Sequence, residues 1–263
     1  GMEEIVFTGT SSSVQYFNNK ADTEYKSVVI SNETITSGTA TELKVTNLSV
    51  EASKKFTLTK DLTASGTLSL GSGSELVAAE NTVTFAAYTK ASDNTDKITV
   101  NGGKLVSSAA SVSIGTIDVT TSAELDFTGT VNSTNFVSTP SLTIPSGSDV
   151  TLPVGSSVSA TVNGKMTVSG DGVFTSATVN GTLTLGGDTS FRSVTIGASG
   201  SLVAKTGGTT LNVSGNWTDG NASGGFTANS STVSFTDTAA LSGKSTFYDL
   251  KAQNLGGKKI TFA

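Results

Sequence analysis

Two consecutive segments of this chain carry almost the same sequence: residues 160–176 are ATVNGKMTVSGDGVFTS, and residues 177–193 are ATVNGTLTLGGDTSFRS. Ten positions are identical without a gap. The same spacing of 17 residues continues downstream and predicts two columns of equivalent apolar residues. The columns are Ala160, Ala177, Val194 and Leu211, and beside them Val162, Val179, Ile196 and Val213. A fixed period of this length is typical of stacked units, none of which can bury its apolar face alone.

Within each segment the apolar residues alternate with polar ones, which is the pattern of short β-strands, and an Asn-Gly pair interrupts the alternation. The sequence therefore predicts an all-β fold: a parallel β-solenoid (β-helix) with short coils of about 17 residues, capped at both ends. Neighbouring coils should lie about 4.8 Å apart, with Phe174 stacked on Phe191. Gly164 and Gly181 should mark a corner that needs positive φ.

The composition agrees with this fold class and excludes two kinds of partner. The chain has 263 residues with 29 Gly, 3 Pro and 14% charged residues, which favours many short strands joined by tight turns. Its formal charge is −5 and its basic residues are scattered, so we expect no nucleic-acid partner. It has no run of about 20 apolar residues, so we expect no membrane span.

The repeat does not extend over the whole chain, and this predicts three regions. Residues 41–215 form the β-solenoid. Residues 1–40 have strand-like segments without a visible repeat, and we predict an N-terminal β cap. Residues 216–263 have longer strand pairs, which predict a C-terminal β cap or small β unit. Caps are expected because an open coil end exposes apolar side chains and unpaired strand edges.

The segment GNWTDGNASGGFTANSSTVSFTDTAALSGKSTFYDLKAQNLGGKKITF, residues 215–262, resembles a repeat common in surface and secreted proteins of the Bacteroidota. The matching residues are Gly215, Asn216, Trp217, Phe226, Val233, Phe235, Leu241, Gly243, Phe247, Leu250 and Gly256-Gly257. The chain departs from that repeat at Asp249, where Asn is usual, and at Leu241, where Ile is common. The remainder is similar to adhesin-like parallel β-helix proteins in general style. The resemblance implies an exported or surface location and a structural or adhesive role, and it carries no catalytic residue.

The first residues, GMEEIVF, lack the charged and apolar segments of a signal peptide. Since Gly1 precedes the methionine, we expect that an export signal has been trimmed, and we predict an extracellular or outer cell-surface location. The chain has no Cys, which is compatible with this location and equally with the cytosol.

Catalysis is not expected from the residue types present. The chain has neither His nor Cys, which excludes Ser-His-Asp and Cys-His chemistry. Some parallel β-helix enzymes cleave polysaccharides with carboxylates, Ca²⁺ and a basic residue. The single arginine, Arg192, should point outward if Phe191 points inward, but no carboxylate cluster can be matched to it. We therefore predict a non-enzyme with no catalytic residue.

Two sets of acidic residues are candidates for a metal site. Asp171 and Asp188 occupy equivalent positions in adjacent coils and are candidate Ca²⁺ ligands. The favoured alternative is that each makes a local turn hydrogen bond beside glycine. Asp93, Asn94 and Asp96 form another acidic loop, which lacks the glycine and distal glutamate of an EF-hand. We predict no bound metal and no cofactor.

Aromatic residues are candidate platforms for stacking sugars. Trp217 is the first candidate, followed by Tyr16, Tyr25, Tyr88 and Tyr248. Trp217 shares its alternation with Leu211 and Val213, so burial in the core is the favoured interpretation.

The leading functional hypothesis is an exported, non-enzymatic, adhesin-like or structural module. Its repeated Thr, Ser and Asn side chains would face a glycan or a host or cell-surface protein. The first alternative is a carbohydrate-binding module with one defined groove, and the second is a β-helix polysaccharide lyase or hydrolase.

Overall fold

The computed structural model describes residues 4–8, 15–17, 23–31, 34–37, 42–137, 141–154, 157–253 and 256–263. Throughout these residues the regular structure is β-strand, with no helix, so the predicted all-β class is confirmed. The chain divides into two compact units, residues 1–137 and 138–263.

Fourteen strands of the described residues belong to the first unit. They are β1 (Ile5–Phe7), β2 (Gln15–Phe17), β3 (Glu24–Ile30), β4 (Thr34–Ser37), β5 (Leu43–Val50), β6 (Lys55–Thr57), β7 (Leu62–Leu70), β8 (Glu75–Ala79), β9 (Thr82–Thr89), β10 (Lys97–Val100), β11 (Lys104–Ser107), β12 (Ser111–Val119), β13 (Ser122–Phe127) and β14 (Thr130–Val137). Odd-numbered strands pair in succession in one parallel sheet, and even-numbered strands pair in a second. Each step from one strand to the next in a sheet is one coil.

The second unit contains the other fifteen strands. They are β15 (Ser141–Ile144), β16 (Asp149–Leu152), β17 (Val158–Val162), β18 (Lys165–Val168), β19 (Gly172–Val179), β20 (Thr182–Leu185), β21 (Thr189–Ile196), β22 (Ser201–Val203), β23 (Thr210–Val213), β24 (Trp217–Asp219), β25 (Phe226–Thr227), β26 (Thr232–Phe235), β27 (Ala239–Gly243), β28 (Asp249–Ala252) and β29 (Ile260–Phe262). All their pairings are parallel. Each unit is therefore a parallel β-solenoid, as the sequence predicts.

The strand β19 shows how one coil turns a corner within a strand. Phe174 and Ala177 are both buried although three residues apart, so the alternation changes phase at Thr175 and Ser176. The chain bends there and keeps its parallel pairing with β21 on both sides of the bend. Together with β20, the coil has three sides whose apolar residues point inward.

The predicted columns are confirmed where the period is 17 residues. Ala160 pairs with Ala177, and Ala177 pairs with Val194. The rings of Phe174 and Phe191 stack with centroids 5.2 Å apart and planes 14° from parallel. Stacked aromatic pairs of this kind add to the free energy gained from burial.

The predicted places of Leu211 and Val213 in these columns are wrong. Val194 pairs with Trp217, whereas Leu211 pairs with Thr189, at the other end of β21. The coil lengthens here, since Asp188 and its hydrogen-bond partner Thr210 are 22 residues apart. As a result, two short strands, β23 and β24, both pair with the single strand β21. Coils in the first unit are also longer than 17 residues: hydrogen bonds between neighbouring coils there join residues 18 to 24 apart.

The predicted reason for glycine at the Asn-Gly corners is also wrong. Gly164 and Gly181 do not have positive φ. Instead, a Cβ on Gly181 would lie 2.0 Å from the carbonyl oxygen of Gly164, and one on Gly164 would lie 2.2 Å from that of Pro145. Glycine is required because the backbones of successive coils approach too closely for a side chain.

The described strands of both predicted caps follow the same parallel stacking. Strand β3 pairs with β5. Strands β24 and β26 to β29 continue from β21 and β23, and β25 pairs with β22 in the other sheet. The division between the compact units falls at 137/138. In the last coil Leu250 and Phe262 continue the interior columns of Val233 and Leu241 but are 38% and 69% exposed.

Candidate functional site

The outward side of β19, β21, β23 and β26 is a polar face of the second unit. Because these strands pair in register, their outward residues form columns across four coils. One column is Val173, Ser190 and Asn212, and the buried Ser234 follows them in register. Two residues farther along the strands lie Thr175, Arg192, Ser214 and Thr236.

A groove of about 420 Å³ lies in this polar face, and we call it the Arg192 groove. Its lining residues are Ser157, Val173, Phe174, Thr175, Ser190, Phe191, Arg192, Asn212, Ser214 and Thr236. Val173 is 36% exposed and gives the groove an apolar patch, beside the nearly buried rings of Phe174 and Phe191. The lining thus combines hydroxyl, amide and guanidinium groups with an apolar surface.

Arg192 points outward, as the sequence analysis expects, because Phe191 is buried in the interior. Within the described ranges, no carboxylate forms an ion pair with its guanidinium group. Arg192 is also the one charged residue among those that line the groove. The five N–H donors of its guanidinium group have no partner in this part of the chain.

Other polar groups of the groove are also available to a ligand. Ser190, Asn212 and Ser214 make no side-chain hydrogen bond with the part of the chain that the structure describes. The hydroxyl groups of Ser157 and Thr175, by contrast, bond to each other at 2.5 Å. Next to Asn212 in register, the hydroxyl of Ser234 is buried and has no hydrogen-bond partner.

The candidate Ca²⁺ ligands Asp171 and Asp188 lie outside the groove. The backbone N–H of Asp188 donates to Oδ1 of Asp171 at 2.9 Å, and that of Thr210 donates to Oδ1 of Asp188 at 2.8 Å. Each carboxylate therefore binds the backbone of the next coil, rather than the local turn that the sequence analysis favours. Among the described residues, no three His, Cys, Asp or Glu side chains are grouped to hold a metal ion. Asp188 precedes Arg192 by four residues, about 13 Å along an extended strand.

The acidic loop at 93–96 has a structural role at Asp96. This carboxylate is fully buried and accepts hydrogen bonds from the hydroxyl of Tyr88 at 2.6 Å and the backbone N–H of Gly115 at 3.0 Å. Burial, together with the bond to Asp96, raises the pKa of Tyr88 far above its usual value. Tyr88 therefore stays protonated, and its hydroxyl group is occupied inside the protein. Asp93 accepts a bond from the hydroxyl of Thr95 at 2.7 Å.

Trp217 lies in the core, as the favoured interpretation expects. It is 0% exposed, and its Nε1 donates to the hydroxyl oxygen of Ser245 at 2.8 Å. Ser245 in turn donates to Oδ2 of Asp219 at 2.7 Å. Sequence reasoning missed Asp219, a buried carboxylate in the interior column after Ile196 that also accepts two backbone N–H bonds.

The tyrosine candidates have different environments. Tyr25 is buried in the core, whereas Tyr248 is 72% exposed in the last coil. The side chain of Tyr16 lies outside the described residues. Tyr25, Tyr88 and Tyr248 are not among the described residues that line the Arg192 groove.

A cluster of charged residues in the first unit forms a ladder across β6, β8 and β10. Lys55 and Lys97 each lie 2.9 Å from the carboxylate of Glu75, and the hydroxyl of Thr99 donates to it at 2.6 Å. Burial alone would raise the pKa of Glu75, but the hydrogen bonds from Thr99, Lys97 and Lys55 outweigh it and lower the pKa to about 2. All four groups satisfy one another, so this cluster is a structural feature of the sheet.

Comparison with known proteins adds no assignment to these sites. The chain has no significant match among protein-family models, curated protein sequences or solved structures. Across the described ranges, none of the regular structure is a helix of the length and hydrophobicity needed to cross a membrane.

Proposed function

We propose that this protein is an exported, non-enzymatic module of the adhesin type, which binds a glycan in the Arg192 groove. One observation carries the proposal: unpaired hydroxyl, amide and guanidinium groups are aligned on the polar face beside an apolar patch. Ser190, Asn212 and Ser214 supply donors and acceptors, and Val173 supplies the apolar contact. Sugars need both, because they carry many hydroxyl groups around a ring with apolar faces.

The shape of the groove favours an extended polymer over a small compact molecule. Its lining comes from successive coils, so outward-facing positions recur about every 4.8 Å along the solenoid. Each hydrogen bond exchanged with water contributes only about 1 kcal/mol. Useful affinity therefore depends on several sugar units of one chain binding together.

The lining of the groove supports a binding role without catalysis. A general acid or base must lie within hydrogen-bond reach of the reacting group. Among the described residues the groove is lined by Arg192 but by no carboxylate, and the chain has no His or Cys. The exported location is supported by the resemblance of residues 215–262 to surface and secreted proteins.

Affinity electrophoresis of the full chain through gels that contain soluble polysaccharides tests the proposal. Ser190→Trp and Asn212→Trp fill the groove, and Thr195→Trp is the matched control, since Thr195 is exposed on the same strand but does not line the groove. We expect at least one polysaccharide to retard the wild type and the control, but not the groove variants. The proposal would be contradicted if a polysaccharide retarded the groove variants as strongly as the wild type, or if no polysaccharide retarded the wild type. Release of unsaturated oligosaccharides, abolished by Arg192→Ala, would contradict the non-enzymatic part.

A further inference from the structure

We infer that the ligand of the Arg192 groove is an acidic polysaccharide, with the carboxylate of a uronic acid unit bound to Arg192. The inference rests on the proposed function and names the class of glycan that the groove selects. It begins from the unpaired guanidinium of Arg192, the only charge among the lining residues of the groove.

Arginine is suited to this ligand by its geometry. The planar guanidinium presents parallel N–H donors that match both oxygens of a carboxylate, which makes such pairs shorter and stronger than neutral hydrogen bonds. Ser190 lies two residues before Arg192 on the same outward side of β21, and Asn212 and Ser214 lie on the next coil. These groups can bind the hydroxyl groups of the same sugar or of its neighbour.

The net charge of −5 does not oppose binding at this place. Asp188 directly precedes β21 and lies four residues before Arg192, about 13 Å along an extended chain. At physiological ionic strength the Debye length is about 8 Å, so this repulsion is largely screened. Asp237, which follows the lining residue Thr236, is paired with Lys258 at 2.9 Å. On β28, at the far side of the polar face, Asp249 is paired with Lys251 at 3.2 Å and leaves no net charge there. The local potential at the groove is therefore set by Arg192.

The number of charges defines the expected ligand further. A densely sulfated polymer or an acidic polypeptide needs several cations for tight binding, whereas the groove provides one. A polymer of uronic acids places one carboxylate on Arg192 and offers hydroxyl groups to Ser190, Asn212 and Ser214. The preferred ligand thus combines a single bound carboxylate with neighbouring sugar hydroxyl groups.

Polygalacturonate and its fully methyl-esterified form share one backbone and differ only in charge, so they form a matched pair of probes. Binding of the full chain to each is measured by affinity electrophoresis and calorimetry at physiological salt, with poly-glutamate as a sugar-free acidic polymer. The variants are Arg192→Gln and Arg192→Lys. Lys205→Gln is the control, because it makes the same charge change at an exposed residue that does not line the groove.

We expect the wild type and Lys205→Gln to bind polygalacturonate more tightly than its methyl ester or poly-glutamate. Arg192→Gln should weaken binding to polygalacturonate about 10- to 100-fold, as is usual for the loss of hydrogen bonds to a charged group. The affinity of Arg192→Lys for polygalacturonate should lie between those of the wild type and Arg192→Gln, since lysine keeps the charge but loses the bidentate geometry.

Equal binding of the ester and the acid, equal binding of poly-glutamate, or unchanged binding by Arg192→Gln would overturn the inference. If the ester and the acid bind equally, Ser190→Trp, which fills the groove, should still abolish binding, provided that the proposed function holds. Failure of the wild type to bind any polysaccharide, acidic or neutral, would overturn the proposed function as well.

Discussion

Replacing Gly181 with alanine tests why glycine occupies the Asn-Gly corners of the coils. A Cβ at this position would lie 2.0 Å from the carbonyl oxygen of Gly164 and 2.5 Å from that of Asn163. Both oxygens belong to the backbone, so no side chain can rotate away. A carbon–oxygen contact needs about 3.3 Å, so the two coils must separate locally by about 1 Å.

The expected cost follows from what this separation breaks. The backbone N–H of Thr182 donates to the carbonyl oxygen of Gly164 at 2.8 Å, and a shift of this size weakens or removes the bond. Loss of one such bond costs about 1 kcal/mol, and overpacking costs about 1–3 kcal/mol. We expect Gly181→Ala to lower the free energy of unfolding by about 2–4 kcal/mol in total. At a position that tolerates it, the same change would raise stability by about 0.4–1 kcal/mol, so the sign is informative.

Urea unfolding followed by circular dichroism measures the effect, and hydrogen exchange of the Thr182 amide localises it. Gly170 provides the matched control, because it has φ of 98° and a Cβ there would meet nothing within 4 Å. Asparagine tolerates positive φ better than alanine, so Gly170→Asn should be milder than Gly170→Ala. At Gly181, asparagine should be no milder than alanine, since its Cβ meets the same oxygen. Wild-type stability of Gly181→Ala, or recovery of stability with Gly181→Asn, would refute the steric argument.

Three other predictions concern the interior and the charge ladder. The pKa of Glu75 is lowered to about 2 in the folded protein, so its stabilisation is complete above its usual value of 4.5 and is lost as the pH falls toward 2. Glu75→Gln should therefore remove about 1–2 kcal/mol of the free energy of unfolding that the wild type loses between neutral pH and pH 2. An acid-unfolding curve of the variant identical to that of the wild type would contradict the role of the ladder. Phe191→Ala should lower the free energy of unfolding by about 3–5 kcal/mol. A double-mutant cycle with Phe174→Ala should give a coupling energy of about 0.5–1.5 kcal/mol, and strictly additive effects of the two substitutions would contradict the stacking. Asp219→Ala should lower the free energy of unfolding by about 2–4 kcal/mol, because buried donors lose their acceptor. Thermal unfolding followed by the fluorescence of Trp217 measures this effect, and an unaltered thermal midpoint would contradict the prediction.

The sequence predicts the interior of the second unit well where the coil length is constant. Alternation determines which residues point inward, and the 17-residue period determines which residues become neighbours. Both conditions hold for Phe174 and Phe191, and for Ala160 and Ala177. Their stacking could therefore be predicted without a structure.

Leu211 and Val213 show where this reasoning fails. Both are fully buried, as alternation predicts, but their neighbours are Thr189 and Phe191. Alternation is the same on every side of a coil, so it cannot reveal that a longer corner has moved a segment from one side to another. The extra residues between β22 and β23 include Gly207 and Gly208, both with positive φ.

The groove could be predicted only in part. The outward direction of Arg192 follows from the inward direction of Phe191. The remaining lining comes from residues as distant as Ser157 and Thr236, which meet through coils of unequal length. No short motif marks such a surface, because its members share a position in the stack and not a position in the sequence.

The matched register around β19 and β20 has a consequence for how such a chain can change in length. Residues 177–193 meet equivalent apolar residues in the coil before and the coil after, as the pairing of Ala160, Ala177 and Val194 shows. A gene that loses or duplicates this segment would still place small or branched apolar residues opposite one another. In a solenoid, interactions are limited to nearest neighbours, so one such event leaves the rest of the stack unchanged. The length of the solenoid in this region can therefore change during evolution by whole coils.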